Sequence, residues 1–213
     1  MSTLEPRPAD TRHLGAGDTP ALRALAHPTR IAILGALRTS GPATVGDVAA
    51  AQGIAAGSAS YHLRTLARHG FVEEVEAPPG DRTADRRTRW WRASARATRW
   101  EPSDFGDTPD GAAAVHALER IILDRYHERA VEALERRDEL DERWRATPYL
   151  ADDVLRLSLD DTAALREDVE ALMARWRLRS RTSADPEGGA RPVALVVQTF
   201  PDPAPHRSGT STR

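Results

Sequence analysis

From Pro20 the apolar residues Leu22, Leu25, Ala26, Ile31, Ile33, Leu34 and Leu37 recur near helical spacing. His27-Pro28 interrupts the pattern and predicts two helices, about 20–26 and 28–39, the second with proline in its first turn. Ser40-Gly41-Pro42 stops it. Thr44 suits the N-cap of a short helix over 45–52, which Gly53 ends. Gly57-Ser58 then opens a further helix through about His69, closed by Gly70. Two short helices across so tight a glycine-containing turn predict a helix-turn-helix. FVEEVEA (71–77) and RWWRA (89–93) alternate in part and flank the polar stretch PPGDRTADRRT. They predict an antiparallel hairpin with a long, arginine-bearing tip, a wing.

Residues 101–110 read as a boundary before a long helical stretch over about 111–146, stopped before Pro148. Val115, Leu118, Ile122, Tyr126, Ala130, Ala133, Leu140 and Trp144 form its imperfect stripe. At 1.5 Å per residue it would span about 50 Å, more than a domain of this size covers. A helix from a second copy is therefore expected against it. VLRLSL (154–159) alternates as a strand, Asp160 can cap the next helix, and Leu165, Val169, Leu172 and Trp176 stripe that helix. PVALVVQTF (192–200) reads as a strand buried on both faces. The expected fold is mostly α with a small β component. It comprises a winged helix-turn-helix over 19–100, a linker and long dimerisation helix over 101–148, and a β-α-β unit over 149–200. Residues 1–18 and 201–213, rich in Pro, Gly and polar residues, are expected to be disordered.

Charge sharpens this division. The net charge is −2, yet residues 1–100 hold 14 Arg against 9 Asp and Glu, and residues 101–213 hold 16 Arg against 23 acids. Only the first half suits a polyanion. All 30 basic residues are Arg, so arginine enrichment by itself says little. The absence of cysteine excludes disulfides and thiolate metal sites, and no apolar run approaches a membrane span of about 18 residues. The polar N-terminus lacks a signal-peptide core, and a cytoplasmic location without membrane contact is expected.

On the helix SASYHLRTLARHG (58–70), stepping 100° per residue from an inward Leu63 puts Ala59, Leu66 and Ala67 on the buried face. Ser58, Tyr61, Thr65 and Arg68 fall opposite, with His62 and Arg64 on the flanks. No acid occurs from 48 to 72, whereas a merely solvated face should mix both signs. Such donors along a helix after a tight turn suit the major groove of double-stranded DNA. Arg82, Arg86, Arg87, Arg89 and Arg92 gather in the wing, where arginines can reach phosphates or a narrow minor groove.

LRALAHPTRIAILGAL, the pattern S-x-x-x-H-L-x-x-L-x-x-x-G-F-V from Ser58, and RTRWWRA follow one another in order. Over about 18–100 the chain resembles the winged helix-turn-helix of ArsR-type bacterial transcriptional regulators. That resemblance implies a homodimeric, operator-binding regulator whose recognition helix is 58–69. It implies base- or phosphate-facing roles for Ser58, Ser60, Tyr61, His62 and Arg64, and gives Arg30 as a first-helix phosphate contact or a structural arginine. The family's thiolate metal motif is absent. His116 and His127 share a helix face, but Ala114 and Ala130 stand where further ligands would be expected, so neither a metal nor a cofactor is expected.

No P-loop, GxSxG, HExxH or GxGxxG occurs, and the pairs Asp152-Asp153 and Asp160-Asp161 lack a histidine nearby in sequence, so no enzyme is expected. The expected function is sequence-specific transcriptional regulation, by repression, through an inverted-repeat operator bound by a homodimer. The other reading is a winged-helix protein-interaction module without specific DNA binding. A small-molecule effector is open: Trp144, Tyr149 and Trp176 either line a pocket or belong to a core.

Overall fold

The computed structural model describes residues 9–77, 88–182 and 189–201, and divides the chain into two units, Met1–Asp141 and Glu142–Arg213. In the first unit, strand β1 (Ala9–Leu14) and a 3-10 turn lead into α1 (Thr19–Leu25) and α2 (Pro28–Ser40). After β2 (Ala43–Thr44) come α3 (Val45–Gln52), α4 (Ala56–Arg68), β3 (Val72–Val75), β4 (Trp90–Ala93) and β5 (Ala95–Trp100). The long helix α5 (Pro109–Glu135) follows.

Local chemistry fixes these boundaries. Thr44 accepts from the Asp47 amide at 3.2 Å while the Asp47 carboxylate accepts from the Thr44 amide at 2.9 Å, a reciprocal cap on α3. Gly53, at φ +62°, ends α3 in the left-handed region and sends its amide back to Ala49 and Ala50. Three residues then separate α3 from α4. Pro28 opens α2, and the His27 ring caps it by accepting from the Thr29 amide at 3.1 Å.

Leu22, Leu25, Ile33, Leu34, Leu37, Leu63, Leu66 and Phe71 fill the core between α1, α2, α4 and the wing sheet, and Val115 and Leu118 of α5 join it. The sheet runs β2-β4-β3, all antiparallel, with Glu73 opposite Arg92 and Glu74 opposite Trp91. The hairpin expected from the sequence is therefore present, although its tip, residues 78–87, lies outside the described residues.

Four expectations need correction. Residues 9–14 are ordered as β1, which pairs in parallel with β5 from Ala9–Ala95 to Leu14–Trp100, where a disordered arm was expected. Leu14 is buried in the core, and Arg12 lies 4.3 Å above the Phe71 ring and donates to the His69 carbonyl. Composition hid this because the strand is short and mostly polar. The long helix stops at Glu135 rather than near 146, followed by a 3-10 turn and the short α6 (Glu142–Arg145). ERRDE (135–139) carries no apolar residue to continue the stripe, and Leu140 is extended.

The second unit is helical rather than β-α-β. Its main element is α7 (Leu159–Thr182), and neither 154–158 nor 192–200 forms a strand. Ser158, not Asp160, starts α7: its hydroxyl accepts from the Asp161 amide at 3.1 Å, and the Asp161 carboxylate accepts from the Ser158 hydroxyl at 2.6 Å.

Candidate nucleic-acid interface

Helix α4 carries the outer face. It packs on α3, α2, α1 and β3, so more of its circumference is covered than one inward face would require. Ser58, Tyr61, Arg64 and Arg68 stand exposed, with Tyr61 at 64%. Ser60 is half-buried. His62 and Thr65, expected at the outer face and its flank, are each only 7% exposed. Thr65 is covered by its neighbours, and its hydroxyl is satisfied by donating to the Tyr61 carbonyl at 2.9 Å. The readable face is thus narrower than its sequence: one aromatic, two arginines and a serine.

Behind it lies a group that the angular pattern could not join. The His27 and His62 rings stand 4.8 Å apart, and Tyr61 meets His62 edge-on at 5.4 Å. Arg30, one turn into α2, is half-buried and its Nε has no hydrogen-bond partner, and neither has Nδ1 of His62. Burial, and then the charge of Arg30, hold the His27 imidazole below its ordinary pKa. Burial does the same to His62, with His27 and Arg30 adding to it. His69 is also lowered, by burial first and by Arg68, Arg12 and Arg30 after it. The sequence offered one clue to His27: a histidine immediately before a proline at a helix start.

The wing contributes less open charge than its arginine count suggests. Arg89 pairs with Glu74 and Arg92 with Glu73, each at 2.9 Å. Arg82, Arg86 and Arg87 lie outside the described residues. Arg38, absent from the expected contacts, is a half-buried tie: its Nε donates to the Ala95 carbonyl at 3.0 Å and its Nη2 to the Thr98 hydroxyl at 2.7 Å. Burial pulls its pKa down to about 10, which leaves it charged at neutral pH.

His116 and His127 are exposed, and among the described residues no group of three metal-ligating side chains exists. In the second unit Tyr149 is 90% and Trp176 52% exposed, so neither belongs to a core or an enclosed pocket of that unit. Among the described residues no helix is long and apolar enough to cross a membrane.

Two helices across a three-residue turn, with a three-stranded antiparallel sheet beside them, define a winged helix-turn-helix fold. Residues 25–75 match a family model described as a helix-turn-helix domain. Among solved structures, the chain is similar to the homodimeric winged helix-turn-helix DNA-binding domain of Mb0332 from Mycobacterium bovis, described as a possible ArsR-family transcriptional regulator. Identity there is 24%, over 53% of this chain and 84% of that one, with a TM-score of 0.31. A mutant of Lactococcus lactis ZitR in its apo form is 14% identical over 71% of this chain and 83% of that one, with a TM-score of 0.30. No curated protein matches.

Proposed function

We propose that the chain is a sequence-specific transcriptional repressor that binds an inverted-repeat operator as a homodimer, with one α4 in each of two successive major grooves. The observation that carries this reading is the acid-free exposed face of α4. Tyr61 and Arg64 are its base-reading residues, and Ser58 and Arg68 hold phosphates at its two ends. Arg30 belongs to the phosphate side.

The dimer reading is supported by α5. Its first half packs on the domain, while Leu123, Tyr126, Val131 and Leu134 of its second half are exposed. A second copy would cover them and set the two recognition helices roughly 34 Å apart, one DNA turn.

Operator sequences selected from a random DNA pool supply the test. The double variant Tyr61→Ala, Arg64→Ala should lose discrimination between selected and random duplex, by at least about 2 kcal/mol for two base contacts. Both side chains are exposed, so its unfolding free energy should stay within about 0.5 kcal/mol of the parent. Unchanged discrimination would remove α4 as the reading element.

A further inference from the structure

Three positively charged or protonatable side chains, His27, Arg30 and His62, meet where the start of α2 abuts α4, and among the described residues no carboxylate is paired with any of them. Tyr61 borders them from α4, and the chain beyond it adds Arg68, His69 and, from β1, Arg12, with Asp18 as the acid lining the same hollow as those three. Two polar atoms there are buried without partners, Nε of Arg30 and Nδ1 of His62, and His62 as a whole is more than nine-tenths buried. A buried unpaired donor is costly, so its persistence at the edge of a proposed DNA face asks for a ligand.

We infer that His27, Arg30 and His62 form a phosphate-oxyanion site, filled by a DNA backbone phosphate, whose occupation draws one proton onto the imidazole pair. This rests on the DNA-binding reading of α4.

The hydrogen bonds assign the parts. His27 Nδ1 accepts from the Thr29 amide, so the neutral His27 ring carries its proton on Nε2, and that N–H is its donor to the anion. Protonating Nδ1 of His27 would break the cap on α2. His62 has no such commitment, since its Nδ1 is unpartnered, so the incoming proton resides on His62. The rings lie too close for both to be charged without cost, which limits uptake to one proton for the pair. In the free protein burial first, and then the neighbouring charges with Arg30 among them, hold both rings below the ordinary histidine pKa and so favour their neutral forms. An oxyanion against Arg30 reverses the sign of that local charge and raises the His62 pKa.

The test uses the full chain with a fluorescein-labelled duplex of mixed sequence, and in parallel inorganic phosphate alone at matched phosphate concentration. Calorimetry in buffers of differing ionisation enthalpy counts the protons taken up at pH 7. The expected result is uptake approaching one proton per chain with duplex and none with inorganic phosphate, and affinity for duplex rising as pH falls from 8 to 6, by at most about tenfold per unit. Uptake with inorganic phosphate as well supports the anion site and assigns it to a free ion. His62→Gln should flatten the pH dependence. His27→Asn, which retains a capping oxygen for α2, should weaken binding at every pH. Duplex bound with proton uptake below about 0.2 per chain overturns the site while leaving the DNA reading intact. Duplex left unbound at every pH overturns both. Proton counting on the parent protein decides the matter even if a variant fails to fold.

Discussion

Protons bind His27, His62 and His69 less readily in the folded chain than in the unfolded one, because burial comes first among the causes at all three. The unfolded chain takes up protons near the ordinary histidine pKa of about 6.5, before the folded chain does. Stability is therefore complete above that pH and declines as pH falls through and below it. Urea midpoints of the DNA-free protein should drop between pH 7.5 and 5.5, and His62→Gln should retain more of its midpoint over that interval. A midpoint independent of pH would contradict the buried imidazoles. At Gly70, φ is +71°, and a Cβ there would stand 2.9 Å from the Arg12 guanidinium. Arg12 is held by the His69 carbonyl and the Phe71 ring, so it has little room to withdraw. Gly70→Ala should cost about 1–2 kcal/mol from the left-handed backbone alone, measured by urea unfolding. The sequence marked Gly70 as a helix stop but could not show Arg12 beside it, because the two meet only through β1. Nor could it separate Tyr61 from Thr65: both are outward by angle, and only the packing of neighbouring elements, which leaves Tyr61 64% and Thr65 7% exposed, distinguishes them.

Among the elements, those with strong punctuation were legible from sequence. His27-Pro28, Thr44, Gly53 and Gly70 each mark a boundary by local chemistry, and the helices between them begin and end within two residues of expectation. Elements that depend on a distant partner were not. β1 exists because β5 lies beside it, and residues 154–158 and 192–200, which the sequence marks as strands, are not paired into one. Helix α5 was half legible: its N-terminal half follows a core-facing stripe, while its end was hidden by charged residues that fit a helix surface as well as a break. The exposed half makes a prediction of its own. Leu134 is 60% exposed and contributes nothing to the core of its own chain. Leu123→Glu together with Leu134→Glu should leave unfolding free energy within about 0.5 kcal/mol of the parent under conditions where it is monomeric. The same pair should convert a dimer to a monomer in sedimentation. A dimer that survives both charges is not built on α5.

For the whole molecule, the two units differ in how their parts are held. The first encloses a continuous core, whereas in the second α7 buries none of its described side chains, and Leu172, Trp176 and Leu178 face solvent. Most helical stability in proteins comes from a packed face, which α7 lacks among its described side chains, so α7 should open far more easily than α2 or α4. Amide exchange at low protein concentration should show this: α7 exchanging orders of magnitude faster than the core of α2, with α4 slow throughout. The division of charge adds a second expectation. The net positive charge lies in residues 1–100, so an added duplex should slow exchange in and around α4 and leave α7 unchanged. Slow exchange of α7 at low concentration would show that it is covered within the chain. Protection that grows with protein concentration would instead identify its cover as a second copy and extend the dimer from α5 to the second unit.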